Sequence, residues 1–227
     1  MRVMTLPFAA LVFDMDGTLT DSESWWDEVR RGLAAEDGVA WPPTATTDMM
    51  GMSTPEWATY LSGTVGLSST PEQSARRTID AMAARYRERG VPLLPGARDA
   101  VPRLAAALPL GLNSSSPRQL IDTVLSEMGW DDLFTATVST EEVARGKPAP
   151  DGFLECARLL GADPARCVAV EDATNGLRSA MAAGMTTVAV PPHFHPPAAD
   201  VLAACDAVVH SLDDLTLEFL QQLPPRR

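Results

Sequence analysis

The chain has almost no lysine. Its 227 residues contain 18 basic side chains against 30 acids, a net charge of −12, and every base except Lys147 is an arginine. So little positive charge leaves no basic stripe to displace the counterions of a nucleic acid or to dock on an anionic membrane, and neither is an expected partner. Cysteine is scarce as well. Cys156, Cys167 and Cys205 are odd in number and form no C-x-x-C pair, which argues against a disulfide framework or a zinc site. No apolar run approaches the ~20 residues of a membrane span. The apolar stretch near the N-terminus is cut by Asp14 and Asp16 before it could act as a secretory signal, so a cytoplasmic location is expected. The 45% hydrophobic and 21% charged content is that of a globular chain long enough for one domain with a substantial insert, or for two small ones.

What is present is a series of short apolar runs separated by helical stretches, the pattern of βαβ units and a parallel sheet. The runs are Ala10–Phe13, Leu110–Leu112, Ala136–Val138, Cys167–Val170 and Thr186–Val190, with a short edge at Ala207–Val209. Between the first two lies a long stretch, Thr20 to Gly90, with no strand-like run. It carries helix signals instead: Thr54 as N-cap with Pro55 at the first helical position, a Thr70-Pro71-Glu72-Gln73 capping box, and Arg89-Gly90 as a stop. The spacing predicts an α/β fold with a helical insertion after the first strand, dividing the chain into a core of 1–19 and 91–227 and an insert of 20–90. Within the insert, 11 acidic residues face 7 basic ones, so the larger share of the negative charge belongs to the core.

In an open parallel sheet, functional groups gather beyond the carboxyl ends of the strands. After the first run come Asp14 and Asp16, two residues apart and on one side of an extended chain. Two carboxylates so close repel unless a cation is near. After the second comes Asn113-Ser114-Ser115-Ser116-Pro117, with Ser116 expected to cap a helix through a box closed by Gln119, and with Ser114 and Ser115 just ahead of that anion-binding N-terminus. Lys147 follows the third run and Glu171-Asp172 the fourth. Acid pair, hydroxyls, lysine and acid pair, each after a successive strand, are the groups needed to handle a divalent cation and a phosphoryl group.

These residues resemble the motifs of the haloacid dehalogenase-like hydrolase superfamily. Phe13-Asp14-Met15-Asp16-Gly17-Thr18-Leu19-Thr20-Asp21-Ser22-Glu23 is similar to its first motif, and Ser114, Lys147-Pro148 and Glu171-Asp172 to its second, third and fourth. Leu94-Pro95-Gly96 and Asn175-Gly176 to Met185 extend the likeness over nearly the whole chain. The resemblance implies a Rossmann-like core, with the insert as the small helical cap of the β-phosphoglucomutase-like branch. It implies Asp14 as nucleophile and Asp16 as general acid and base. Mg2+ would be held by Asp14, the backbone carbonyl of Asp16 and Asp172, with Glu171 nearby. Met15, Ser114, Ser115 and Lys147 would bind the phosphoryl group.

Asp16 points to phosphoryl transfer rather than dehalogenation, which has no use for a second acid there. The absence of any cap lysine argues against a phosphonatase. Where the mutase carries a histidine after the first motif this chain has Trp25-Trp26, and in place of its phosphate-gripping arginine it has Ser53-Thr54-Pro55. Hydrolysis is therefore preferred over the mutase alternative, and the stretch from Asp21 to Trp26 is similar to bacterial sugar-phosphate phosphatases of the 2-deoxyglucose-6-phosphatase type. A phospho-receiver module is the non-enzymatic alternative, disfavoured by the insert and by the second acid. Glu23, Trp26, Gly51 and Thr54 are expected near the leaving group, a small phosphorylated metabolite, with Trp25, Trp41 and Trp57 expected to be core. The chain is expected to be a monomer or a weak homo-oligomer. His193 and His195 are read as part of a proline-rich surface loop rather than as metal ligands.

Overall fold

The computed structural model describes residues 6–49, 52–192 and 196–226. Six strands form one sheet in the order β3-β2-β1-β4-β5-β6, all parallel. They are β1 (Ala10–Phe13), β2 (Leu110–Ser114), β3 (Phe134–Ser139), β4 (Cys167–Glu171), β5 (Thr186–Ala189) and β6 (Ala207–Val208). The helices, in chain order, are α1 (Glu23–Glu36), α2 (Ala45–Asp48), α3 (Thr54–Tyr60), α4 (Pro71–Arg89), α5 (Ala97–Ala105), α6 (Arg118–Met128), α7 (Asp151–Leu159), α8 (Thr174–Ala182), α9 (Ala199–Ala204) and α10 (Leu217–Gln222). Every expected strand is present, and β2 and β3 run two or three residues longer than their apolar cores.

Strands β1, β2, β4 and β5 are buried along their whole length, which is why they read as continuous apolar runs rather than as alternating ones. The two faces nevertheless differ. Leu11, Phe13, Leu110, Leu112, Val168 and Val170 belong to one large core, whereas Ala10, Val12, Ala136, Cys167 and Ala169 pack with Phe153 and Cys156 of α7 and Ala180 of α8. Small residues on the second face let α7 approach closely, and a Cβ on Gly111 would lie 2.4 Å from Cys156 Sγ.

The strand order reverses at β1, which has β2 on one side and β4 on the other. Such a reversal opens a crevice at the carboxyl edge, and the residue after β1 is Asp14. The helical stretch α1–α4 leaves the sheet immediately beyond it. Its outgoing and returning connections run side by side, Thr20 bridging Leu93, Asp21 N–H donating to Pro92 O and Leu94 N–H to Leu19 O. Helix α4 then packs against α6, with Gln119 donating to Asp80 over 3.0 Å.

Two helix starts differ from expectation. The cap of α3 is Ser53, not Thr54, because the reciprocal partner Glu56 stands three residues after Ser53 and its carboxylate accepts from Ser53 N–H at 2.8 Å. Helix α6 begins at Arg118 without a side-chain cap. Ser116, expected to cap it, turns its hydroxyl to the Asp16 carboxylate instead, a charge-assisted hydrogen bond stronger than a neutral cap. The Thr70–Gln73 box and the Gly90 stop of α4 are as expected.

Candidate active site

The carboxyl ends of β1 and β4 are adjacent, Asp14 N–H donating to Val170 O at 2.9 Å. That register places Asp14 beside Glu171, with Asp172 one residue on. Carboxylate oxygens of Asp14, Glu171 and Asp172 all lie within 4.8 Å of one another, and all three residues are buried. Lys147 reaches in from the loop after β3. Its ammonium donates to Asp14 Oδ1 at 2.5 Å and to Glu171 Oε1 at 2.8 Å, and stands 5.5 Å from the centre of the Phe153 ring. Glu171 also accepts from Ala173 N–H at 2.6 Å, so Lys147 and the backbone hold both its oxygens. Thr18 donates to Asp172 at 3.0 Å.

The electrostatics are unbalanced. Burial, with help from Glu171 and Asp16, pushes the Asp14 carboxyl up to about 7 although Lys147 opposes the rise. Burial and the neighbouring Glu171 and Asp14 charges also raise Asp172. Burial works against the Lys147 charge, but Asp14 and Glu171 outweigh it and hold the ammonium above its ordinary value. Were all three carboxylates ionised, one ammonium would leave two negative charges uncompensated in a buried site, which is why the protonated forms of Asp14 and Asp172 are favoured and why a divalent cation suits the arrangement. A small oxygen-seeking cation held by a few carboxylates, with positions left for substrate and water, matches this donor set.

Two glycines make room for the cluster. Gly17 has φ +87°, and a Cβ there would stand 2.3 Å from Asp172 Oδ2; a Cβ on Gly176 would stand 1.5 Å from Glu171 Oε1. Each clash is with an acid of the cluster, so the glycines following Asp16 and Asn175 are set by the acids opposite them.

Asp16 lies apart from the three clustered acids. Its carboxylate accepts from Ser22 Oγ at 2.5 Å and from Ser116 Oγ at 2.6 Å, with Thr20 at 3.4 Å. Ser22 is the residue just before α1, so a hydroxyl at the root of the insert and another at the end of β2 together orient this acid. Ser116 is fixed in turn by Ser139, which donates to its carbonyl at 2.8 Å. Sequence reasoning named Ser114 and Ser115 but missed Ser22, Thr18 and Ser139, and gave Ser116 a capping role. Serine and threonine are common at such turns, and nothing in their spacing separates them from ordinary caps.

Ser114 is buried at the end of β2, its hydroxyl accepting from Ser116 N–H at 3.0 Å, while Ser115 is exposed on the loop. Met15 turns its side chain wholly into the core, so a part in phosphate binding falls to its backbone. In the insert, Glu23 is exposed on the first turn of α1. Trp26 is half-buried and meets Trp57 of α3 edge-on at 6.0 Å. Thr54 Oγ1 is buried with no hydrogen-bond partner. Trp57 is core as expected, and Trp25 and Trp41 are packed against that core but only partly buried. Gly51, His193 and His195 lie outside the described residues.

An acid directly after β1, a hydroxyl at the end of β2, a lysine from the loop after β3 and an acid pair after β4 thus stand around the switch point of a 3-2-1-4-5-6 sheet. The chain belongs to the haloacid dehalogenase-like hydrolases, whose family description matches residues 8–184. Among individual proteins it is similar to hexitol phosphatase B of Escherichia coli K12, at 35% identity over 93% of this chain and 96% of that protein. It also resembles the fructose-1-phosphate phosphatase YqaB of the same organism, at 31% identity over 81% and 96%. Its fold is shared with CbbY of Rhodobacter sphaeroides, solved in complex with phosphate, at a TM-score of 0.80 and 24% identity over 92% and 96% of the two chains. No helix among the described residues is long and apolar enough to cross a membrane.

Proposed function

We propose that this enzyme is a Mg2+-dependent phosphatase of small phosphorylated sugars or polyols, acting through an aspartyl-phosphate on Asp14. The observation that carries the reading is the buried Asp14, Glu171 and Asp172 cluster with Lys147 at its edge. Asp14, Asp172 and the backbone carbonyl of Asp16 would hold the metal, with Glu171 behind them. When bound, Mg2+ supplies charge that draws a phosphate towards otherwise repellent carboxylates. The segment 20–90 is the cap that covers the leaving group.

The chain's own residues then have distinct tasks. Asp14, ionised once a cation offsets the burial and the acids that raise it, would attack phosphorus without a separate base. Lys147 bridges Asp14 and Glu171, and from that position aligns the nucleophile and offsets charge on a transferring oxygen. The Ser114 hydroxyl and Ser115 amide, ahead of α6, and the Met15 amide, just beyond β1, donate to further phosphoryl oxygens. Asp16, held by Ser22 and Ser116, gives its proton to the departing alcohol and afterwards takes one from the attacking water. Because Ser22 sits at the root of the insert, movement of the cap and orientation of the acid are linked.

Release of phosphate from p-nitrophenyl phosphate and a panel of hexose and hexitol phosphates, with Mg2+, tests the reading. Asp14→Asn is expected to lower turnover by at least ~10⁴-fold and Asp16→Asn by about 10²–10⁴-fold. Folded protein that releases phosphate from none of these, or that stays active in both variants, overturns it. Conversion of a sugar 1-phosphate to the 6-phosphate without free phosphate would instead establish a mutase.

A further inference from the structure

Tyr86 carries a hydroxyl that nothing holds. It stands in the last turn of α4, wholly buried, and its Oη has no hydrogen-bond partner among the described residues. A buried tyrosine ordinarily spends its O–H on a partner, because an unpaired donor costs the desolvation of that group. The ring is nonetheless well placed. It stacks on Trp25 of α1, with centroids 5.8 Å apart and planes at 30°, and the Arg85 guanidinium lies 5.1 Å from the centre of the same indole. Arg85 in turn pairs with Glu28, further along α1. Packing therefore fixes where the hydroxyl points, and no polar pairing accounts for it.

It points at the root of the insert. Trp25 N–H donates to Ser22 O at 3.0 Å, and helical side chains lean towards the N-terminus, so the indole that carries Tyr86 covers the turn opened by Ser22. The chain leaving α4 returns to the same place, Pro92 O accepting from Asp21 N–H at 2.8 Å. Ser22 is itself wholly buried and donates to the Asp16 carboxylate at 2.5 Å. Burial first, and then the Asp16 charge, raise the phenol above its ordinary value, while the Ser22 hydroxyl facing it pulls the other way. The two polar groups that bear most on Tyr86 are thus Asp16 and the hydroxyl that orients it. A serine hydroxyl has one proton and two lone pairs. Ser22 gives its proton to Asp16, and Thr20 approaches its oxygen only at 3.4 Å with the Met15 carbonyl as a competing acceptor. A lone pair is left for a further donor, and a neutral phenol is one.

We infer that Tyr86 is a positioning residue for Asp16: its hydroxyl, unpaired in the resting arrangement, closes on Ser22 Oγ when the acid is engaged, and the chain from Tyr86 through Ser22 holds Asp16 for the departing alcohol. The inference rests on the phosphatase reading, in which Asp16 supplies the proton. Tyr86 does not touch the substrate. It acts by fixing Ser22, and in such a chain each hydrogen bond polarises the next. Its contribution is largest where the leaving group must be protonated, as with the alcohols of sugar and polyol phosphates, and smallest where a stable phenolate departs as an anion.

The test uses full-length protein with Mg2+ and compares kcat/KM for the best substrate of the hexose and hexitol phosphate panel with that for p-nitrophenyl phosphate. This quantity extends to departure of the leaving group and excludes the later attack of water, so it isolates the step in which Asp16 acts as an acid. In Tyr86→Phe the ratio of the two values, sugar phosphate over nitrophenyl phosphate, is expected to fall about fivefold, the worth of one neutral hydrogen bond. The melting temperature should not fall, because the substitution removes an unpaired buried hydroxyl and keeps the ring. Ser22→Ala should lower the same ratio at least as far, and adding Tyr86→Phe to it should change the ratio by less than about twofold. A merely structural phenol would lower both substrates alike. A ratio unchanged in Tyr86→Phe, or an undiminished Tyr86→Phe effect in the Ser22→Ala background, overturns the inference and leaves the phosphatase reading standing. Absence of phosphate release by the folded, unsubstituted enzyme overturns both.

Discussion

The sheet edge and the helical insert handle charge in opposite ways. At the edge, three carboxylates converge on one lysine and remain short of positive charge. In the insert, cations rest on indole rings, Arg30 on Trp26 and Trp57, Arg31 on Trp41 and Arg85 on Trp25, and acids such as Asp37 are matched by an arginine at the surface. A region that balances its own charges is finished as it stands. One that does not is built around something it must bind, on the proposed reading a cation and a phosphate.

Lys147→Arg is the sharpest way to break the comparison, with an expected effect second to that of removing the Asp14 carboxylate itself. Net charge is unchanged, but a planar guanidinium cannot stand where a compact ammonium reaches Asp14 and Glu171 together above the Phe153 ring. We expect kcat to fall by about 10²–10³-fold with the protein still folded by circular dichroism. An arginine enzyme of ordinary activity would mean that charge alone, not its placement, is what the site needs.

Asp172→Asn addresses the missing charge without relying on turnover. Removing one of three crowded acids relieves repulsion, so the melting temperature in EDTA should rise by a few degrees. The stabilisation gained by the parent protein in excess Mg2+, about 2–3 kcal/mol at 100 times Kd, should largely disappear. Activity lost in EDTA and restored by Mg2+ in the parent protein completes the test. A variant that keeps the Mg2+-induced shift would remove Asp172 from the ligand set.

The edge was legible in the sequence because sheet topology turns order along the chain into position in space. Each strand end contributes its next residues to one crevice, so Asp14, Ser114, Lys147 and Glu171-Asp172 could be brought together before any distance was known. Ser22 and Ser116 were not legible, because their role depends on which way a hydroxyl turns, and a cap and a carboxylate compete for it. The insert's own pairings were hidden for a related reason. The insert's contacts run between helices, from α1 to α3, and a helix records its own periodic face but not which neighbour will cover it. Trp26 was read as a contact for the leaving group, yet its pairing with Trp57, and the guanidinium between them, follow from packing alone.

The smallest expected effect lies where the insert balances itself. Arg77, with Ser68, holds the Asp37 carboxyl down to about 2, against an ordinary value of 3.8, and the carboxylate joins the end of α1 to α4 through contacts of 2.9 and 3.2 Å. A carboxyl whose pKa is lower in the folded state adds stability above its unfolded value and loses it as pH falls through the folded one. The contribution is therefore full above about pH 4 and fades towards pH 2. The pair lies at the surface, so Asp37→Asn should lower the melting temperature at pH 7 by only about 2 °C, and the gap between variant and parent should close on acidification through that window. Turnover should be unchanged, since Asp37 closes the far end of α1 while the acid-orienting Ser22 begins it. A large loss of activity in Asp37→Asn would show that the insert's internal charge pairs and the sheet edge are not independent after all.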